Sequence, residues 1–135
     1  MMAAEQPVKA WRSVGLWGVS VVLAMIFVGV GVTKLVATDL FEAHFARWGL
    51  PLWLVWLSGA LETTGAVLVL VPRMAAIGGG LLALSAAGAM VVHLVHGELL
   101  LGIFPAVLTA TAATLAYCRR GPLLADSPAR LVRPV

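Results

Sequence analysis

Residues 51–71 read Pro-Leu-Trp-Leu-Val-Trp-Leu-Ser-Gly-Ala-Leu-Glu-Thr-Thr-Gly-Ala-Val-Leu-Val-Leu-Val. Across this stretch the only ionisable side chain is Glu62. A helix rises about 1.5 Å per residue, so a run of this length crosses a hydrocarbon core about 30 Å thick. It does not alternate apolar with polar, and it is about twice the length of a barrel strand. The reading is a membrane-spanning helix with one carboxyl group in its middle.

The rest of the chain follows the same pattern. Apolar runs at about 14–34, 74–95 and 99–117 flank the first, which makes four spans. The predicted fold class is therefore all-α, a four-helix transmembrane bundle. Its expected divisions are an N-terminal segment 1–13, a membrane domain 14–118 and a tail 119–135. Composition agrees: 61% of residues are hydrophobic and only 11% charged, with a mean hydropathy of +1.03. A soluble domain carries about 25% charged residues. Too little charge remains here to coat a soluble surface, which argues against a soluble enzyme or a nucleic-acid-binding module. The net charge of +3 does not reverse this, because the basic residues lie in short flanks between apolar runs. Cys118, the single cysteine, can form no internal disulfide or thiol pair.

Those basic residues are unevenly shared. Lys9, Arg12, Arg73, Arg119, Arg120, Arg130 and Arg133 fall on one side of a four-span topology, and Lys34 and Arg47 on the other. Seven against two places both termini on the cytoplasmic side by the positive-inside rule. The first run is too long for a signal peptide, and no small-residue cleavage site follows it. Trp11 and Trp17 near the inner end, and Trp48 and Trp53 near the outer end, fit interfacial belts.

Between the first two spans, Leu40, Phe41, His44, Phe45 and Trp48 recur at helical spacing. This predicts a short amphipathic helix at the outer surface, with Asp39 as its cap, lying as a lid over the bundle or as part of a binding site. The tail beyond Arg120, with Pro122, Pro128 and Pro134, reads as extended.

Four polar residues are candidates for function: Lys34, Glu62, His93 and His96. Glu62 follows Pro51 by about 16 Å of helix rise, which sets it near the bilayer centre. A carboxyl there faces the bundle interior, as a neutral acid bonded to a neighbouring helix, as a proton-transfer or ligand group, or as a contact to a partner. Lys34 can snorkel to the surface or reach down to Glu62. If Pro51 marks the outer surface, that reach is up to about 16 Å, and the neutral acid is the expectation. His93 and His96 share a helix face with Glu98 nearby. A bare His-x-x-His is a weak metal signal, and no metal is assigned. The third span is rich in small residues, including Gly78, Gly79, Gly80, Ala83 and Ala87, and is expected to be the central helix touching all three others. Pro105 is expected to kink the fourth span. Thr109, Thr111 and Thr114 are expected to bond within it.

Taken in order, Gly31-Val-Thr-Lys34-Leu35, Trp48-Gly49-Leu50-Pro51, Gly59-Ala-Leu-Glu62-Thr-Thr-Gly65 with Pro72-Arg73, and Met90-Val-Val-His93 resemble the DoxX and DoxX-like membrane proteins. The resemblance covers residues 15–118. It implies a small four-helix protein of the bacterial inner membrane, with Lys34, Glu62 and His93 at the family's polar positions. The group is named for a subunit associated with thiosulfate:quinone oxidation, and some members are linked to redox or oxidative-stress complexes. The implied role is an accessory or partner-binding subunit, more than an enzyme on its own. The alternatives are a quinone-binding oxidoreductase subunit using Glu62 for proton transfer, or a small oligomeric transporter. Expected partners are the lipid bilayer and either a membrane redox protein or further copies of the chain, with no nucleic acid. Quinone is the one cofactor considered. One cysteine and no haem or iron–sulfur ligation pattern speak against a self-contained electron carrier.

Overall fold

The computed structural model describes residues 5–121, and their side chains from Ser13 onward. Five helices follow one another: α1 (Glu5–Val36), α2 (Asp39–Arg47), α3 (Trp53–Val69), α4 (Ala75–Val95) and α5 (Leu99–Cys118). The chain is all-helical over the described residues, as expected. The side chains of Lys9, Trp11 and Arg12, and the proposed extended tail with Arg130 and Arg133, lie outside what is described.

Three helical segments are long and apolar enough to cross a membrane, at Ser13–Val36, Ala75–Val95 and Leu99–Cys118. The fourth, α3, has 17 residues and spans about 25 Å, the short end of the spanning range. Its first turn is reached through Pro51, and its last gives way at Leu70 to a turn ahead of α4. α1 starts well before the expected 14, at Glu5.

Neighbouring helices are those joined in sequence. α1 packs along α3, α3 along α4, and α4 along α5, while α1 and α5 meet only lightly. α4 thus touches all three other spans as expected, but it packs closely only on α3 and α5 and meets α1 lightly. It lies between α3 and α5, diagonally opposite α1. Its small residues are used on two sides. A Cβ on Gly78 would sit 2.5 Å from the Val69 nitrogen, and one on Gly79 would sit 3.0 Å from the Ala112 oxygen. The backbones of α3, α4 and α5 approach too closely for larger side chains there.

The core is confined to the half of the bundle away from α2. Leu23, Ala24 and Phe27 of α1 meet Ala66 and Val69 of α3, Leu82 and Ala86 of α4, and Ala112 and Leu115 of α5. The half beneath α2 is not filled in this way. It contains cavities, and the polar residues of the bundle line them.

Pro105 is accommodated inside α5, where it is buried. Thr109, Thr111 and Thr114 donate to carbonyls one turn back in the same helix, as expected. Asp39 does not cap α2. The flanking residue is Thr38, whose hydroxyl instead donates to the Lys34 oxygen at 2.9 Å, because Thr38 is itself in helical conformation.

Candidate functional site

The close contact between α1 and α3 builds the site. A Cβ on Gly31 would lie 2.6 Å from Thr63 Oγ1 and 2.9 Å from the Thr63 nitrogen, so this position admits only glycine. One turn further along, Gly59 presses on the Gly31 oxygen and on Lys34 Cβ, each 3.0 Å from where its own Cβ would stand. These two glycines set the register that puts Lys34 beside Gly59. Glu62 is three residues deeper, about 4.5 Å of rise, which a lysine side chain covers.

Lys34 Nζ consequently donates to Glu62 Oε1 at 2.7 Å, with the two side chains 12% and 6% exposed. The expectation that Lys34 lies too far from Glu62 to reach it is corrected. It assumed that Lys34 lies level with Pro51, whereas α1 turns into α2 below that level and α3 runs on past it. Ser85 of α4 donates to the same carboxylate oxygen at 2.9 Å. Sequence reasoning missed Ser85. The available signal was that it is the only hydroxyl-bearing residue in α4. The second oxygen, Oε2, is buried and accepts no hydrogen bond, and the hydroxyl of Thr63 is likewise buried without a partner.

Glu62, Lys34 and His93 stand at the junction of two cavities, which they line together with Val30 and Ala89. The larger, about 480 Å³, lies between α3, α4 and α2, whose Leu40, Phe41, His44 and Phe45 roof it. The smaller, about 310 Å³, opens between α1 and α5 and is walled by residues such as Ile26, Phe104 and Leu108. Apart from the polar residues at their junction, and Ser58, Ser85 and His44 in the larger one, both are lined mainly by apolar side chains. Lys34 Nζ also lies 5.8 Å from the centre of the Phe41 ring, which ties the lid helix to the ion pair.

His93 closes the α2 end of the site. Its Nδ1 meets Glu98 Oε2 at 2.7 Å, and Trp48 packs edge-on against its ring at 5.2 Å between centroids. His44 and His96 also flank Trp48, so all three histidines surround this one indole. The hydrogen bond from His93 holds the Glu98 carboxyl below its ordinary range against the opposing effect of burial. The Trp48 indole N–H, which lies near Glu98 without reaching hydrogen-bond geometry, adds to that lowering. His96 is not part of the cavity wall. Its Nδ1 turns back to the Val92 oxygen of its own helix, 2.8 Å away. Among the described residues no three His, Cys, Asp or Glu side chains converge as metal ligands. The structure thus brings Lys34, Glu62 and His93 to one site and leaves His96 on its rim.

The chemistry of this arrangement is that of a polar head site within apolar walls. An ammonium, a hydroxyl and a carboxylate with one free oxygen converge where the surroundings exclude water, and there each hydrogen bond is strengthened. The terminal torsion of a glutamate is soft, so Oε2 can turn toward a donor in either cavity.

No curated protein and no solved structure matches the chain. The sequence profile of the DoxX-like family matches residues 18–115, a span that holds Lys34, Glu62, Ser85 and His93 together with α3, α4 and most of α1 and α5, and the chain belongs to that family.

Proposed function

We propose that this protein is an accessory subunit of a membrane redox system in the bacterial inner membrane, and that it binds a quinone-type ring at Glu62. One observation carries the reading: the unpartnered Oε2 of a buried, lysine-paired glutamate at the junction of two largely apolar cavities. A buried acceptor without a partner is costly, and a ligand that supplies a donor removes the cost. The aromatic side chains of Phe41 and Phe45 suit a flat ring, and the larger cavity falls within the size range of small-molecule sites.

When bound, a quinone supplies two-electron, two-proton chemistry. The residues around it do the rest. Lys34, which has N–H groups beyond the one given to Glu62, holds a donor toward an oxygen of the ring, while Glu62 offers an acceptor for a hydroxyl or a place to hold a proton. Electrons would come from a partner protein, which makes this chain a binding and proton-holding subunit. In this reading α2 lies at the periplasmic face and both termini are cytoplasmic, in keeping with the excess of basic residues on the terminal side.

Binding is tested on the purified chain with 2,3-dimethoxy-5-methylhydroquinone kept reduced under nitrogen, whose hydroxyl can donate to Oε2, read by quenching of tryptophan fluorescence. Saturable quenching is expected for the wild type. Glu62→Gln should weaken it and Glu62→Leu should abolish it, with both variants first shown to be folded by circular dichroism. Quenching that is linear and equal in all three proteins sinks the quinone reading. Reporter fusions within α2 and after Cys118 test the orientation.

A further inference from the structure

The lightly packed seam between α1 and α5 is the one side of the bundle that is not closed. It is not featureless. The smaller cavity occupies its upper part, and a third cavity, about 320 Å³, continues it downward along the outside of α1. The two share Ile26 and Leu108 as walls, so they adjoin end to end along the seam as two parts of a groove. Its upper end is the Lys34–Glu62 pair. Its lower end lies at Gly18 and Thr111. From Gly18 to Lys34, α1 rises about 24 Å, most of the thickness of the hydrocarbon core.

Three features suit this groove to an extended chain. Its walls below the ion pair are apolar except for Thr111, whose hydroxyl is occupied by the Val107 oxygen. A Cβ on Gly18 would meet nothing within 4 Å, so that glycine does not serve helix packing. The groove opens sideways, where the surrounding side chains Val19, Val22 and Phe104 are exposed and face the place of lipid.

We propose that the α1–α5 groove holds the single long hydrocarbon tail of the ligand whose head binds at Lys34 and Glu62. The ligand is thus a tailed membrane molecule that enters from the bilayer, not a water-soluble ring that enters past α2. This rests on the reading of Glu62 as a head site. It adds the class of ligand and the route. A tail along the seam buries apolar surface on both sides and completes the contact that α1 and α5 leave unmade.

The test uses the full chain in nanodiscs and three probes with one ring, all kept reduced: the tail-less hydroquinone named above, its decyl derivative, and its derivative with four isoprene units. Comparing variants with the wild type at each probe cancels the partitioning of the probes into lipid. Ile26→Phe blocks the groove where its two parts join. It should weaken binding of both tailed probes about tenfold, as expected for the loss of roughly two buried methylenes, and leave the tail-less ring unchanged. Gly18→Leu should affect only the longest probe. Unchanged affinity of the tailed probes in Ile26→Phe overturns the proposal. If the tail-less ring fails to bind even the wild type, the quinone head is wrong, and the groove is judged separately by native mass spectrometry. A single-tailed lipid retained by the wild type and lost from Ile26→Phe sustains the groove. Retention of a two-tailed phospholipid, a dimer that seals the α1–α5 seam, or no retained lipid overturns it.

Discussion

Lys34 Nζ sits 2.7 Å from Glu62 Oε1, although the two residues are 28 positions apart and lie on different helices. Neither side chain reaches water freely, and each is a hydrogen-bond partner of the other. The carboxylate is further anchored by Ser85, which joins α4 to the α1–α3 pair. The ion pair therefore links three of the four long helices in the half of the bundle that lacks a packed core.

Removing one partner should cost more than removing both. Lys34→Met leaves a buried carboxylate without its cation, and a loss of about 3–5 kcal/mol is typical of a broken buried pair. The double variant Lys34→Met/Glu62→Leu should recover much of that loss. Thermal unfolding of the four proteins of the cycle in one detergent measures it. Additive losses would mean that the two groups do not act as a pair.

The α1–α3 register should depend on Gly31 and not on its neighbour Gly29. Gly31→Ala drives a methyl group against Thr63 backbone and side chain, whereas Gly29 has open space around it. We expect a melting temperature clearly lowered in Gly31→Ala and unchanged or slightly raised in Gly29→Ala, because alanine favours helix. Equal melting temperatures would show that the helices can separate at this point without loss.

A parallel contrast holds along α4. Gly79→Leu should destabilise strongly, since its side chain would enter the Ala112–Ala116 backbone of α5, while Gly80→Leu points into open space. Overpacking of this kind costs about 1–3 kcal/mol. Detergent-resistant helicity after heating distinguishes the two. A tolerated Gly79→Leu would disprove the close α4–α5 contact.

Glu98 makes the turn between α4 and α5 sensitive to acid. Its folded pKa is lowered by His93, so the group contributes stability above the ordinary carboxylate range and loses it as pH falls through the lowered value. Wild type should therefore exceed Glu98→Gln in melting temperature at pH 7, and the gap should close below about pH 4. A gap independent of pH would assign the effect of the substitution to shape and not to charge.

Much of this protein was determined by the sequence alone. Four apolar runs with short polar breaks leave no arrangement but a helical bundle in a membrane, because backbone groups in lipid must be satisfied within each segment. The amphipathic spacing from Leu40 to Trp48 marks α2, and the rarity of ionisable residues within the runs singles out Glu62 and His93. The partnership of those residues was decided only in three dimensions. Whether Lys34 meets Glu62 depends on the vertical offset of α1 against α3, and that offset is set by Gly31 and Gly59 at a contact between residues distant in the chain. Small residues announce close packing but not against which helix: α4 packs closely on α3 and α5 and only lightly on α1. Ser85 joins the site for the same reason. Its hydroxyl is one of many that would bond its own helix, as Thr109 does, and only the position of α3 offers it a carboxylate instead.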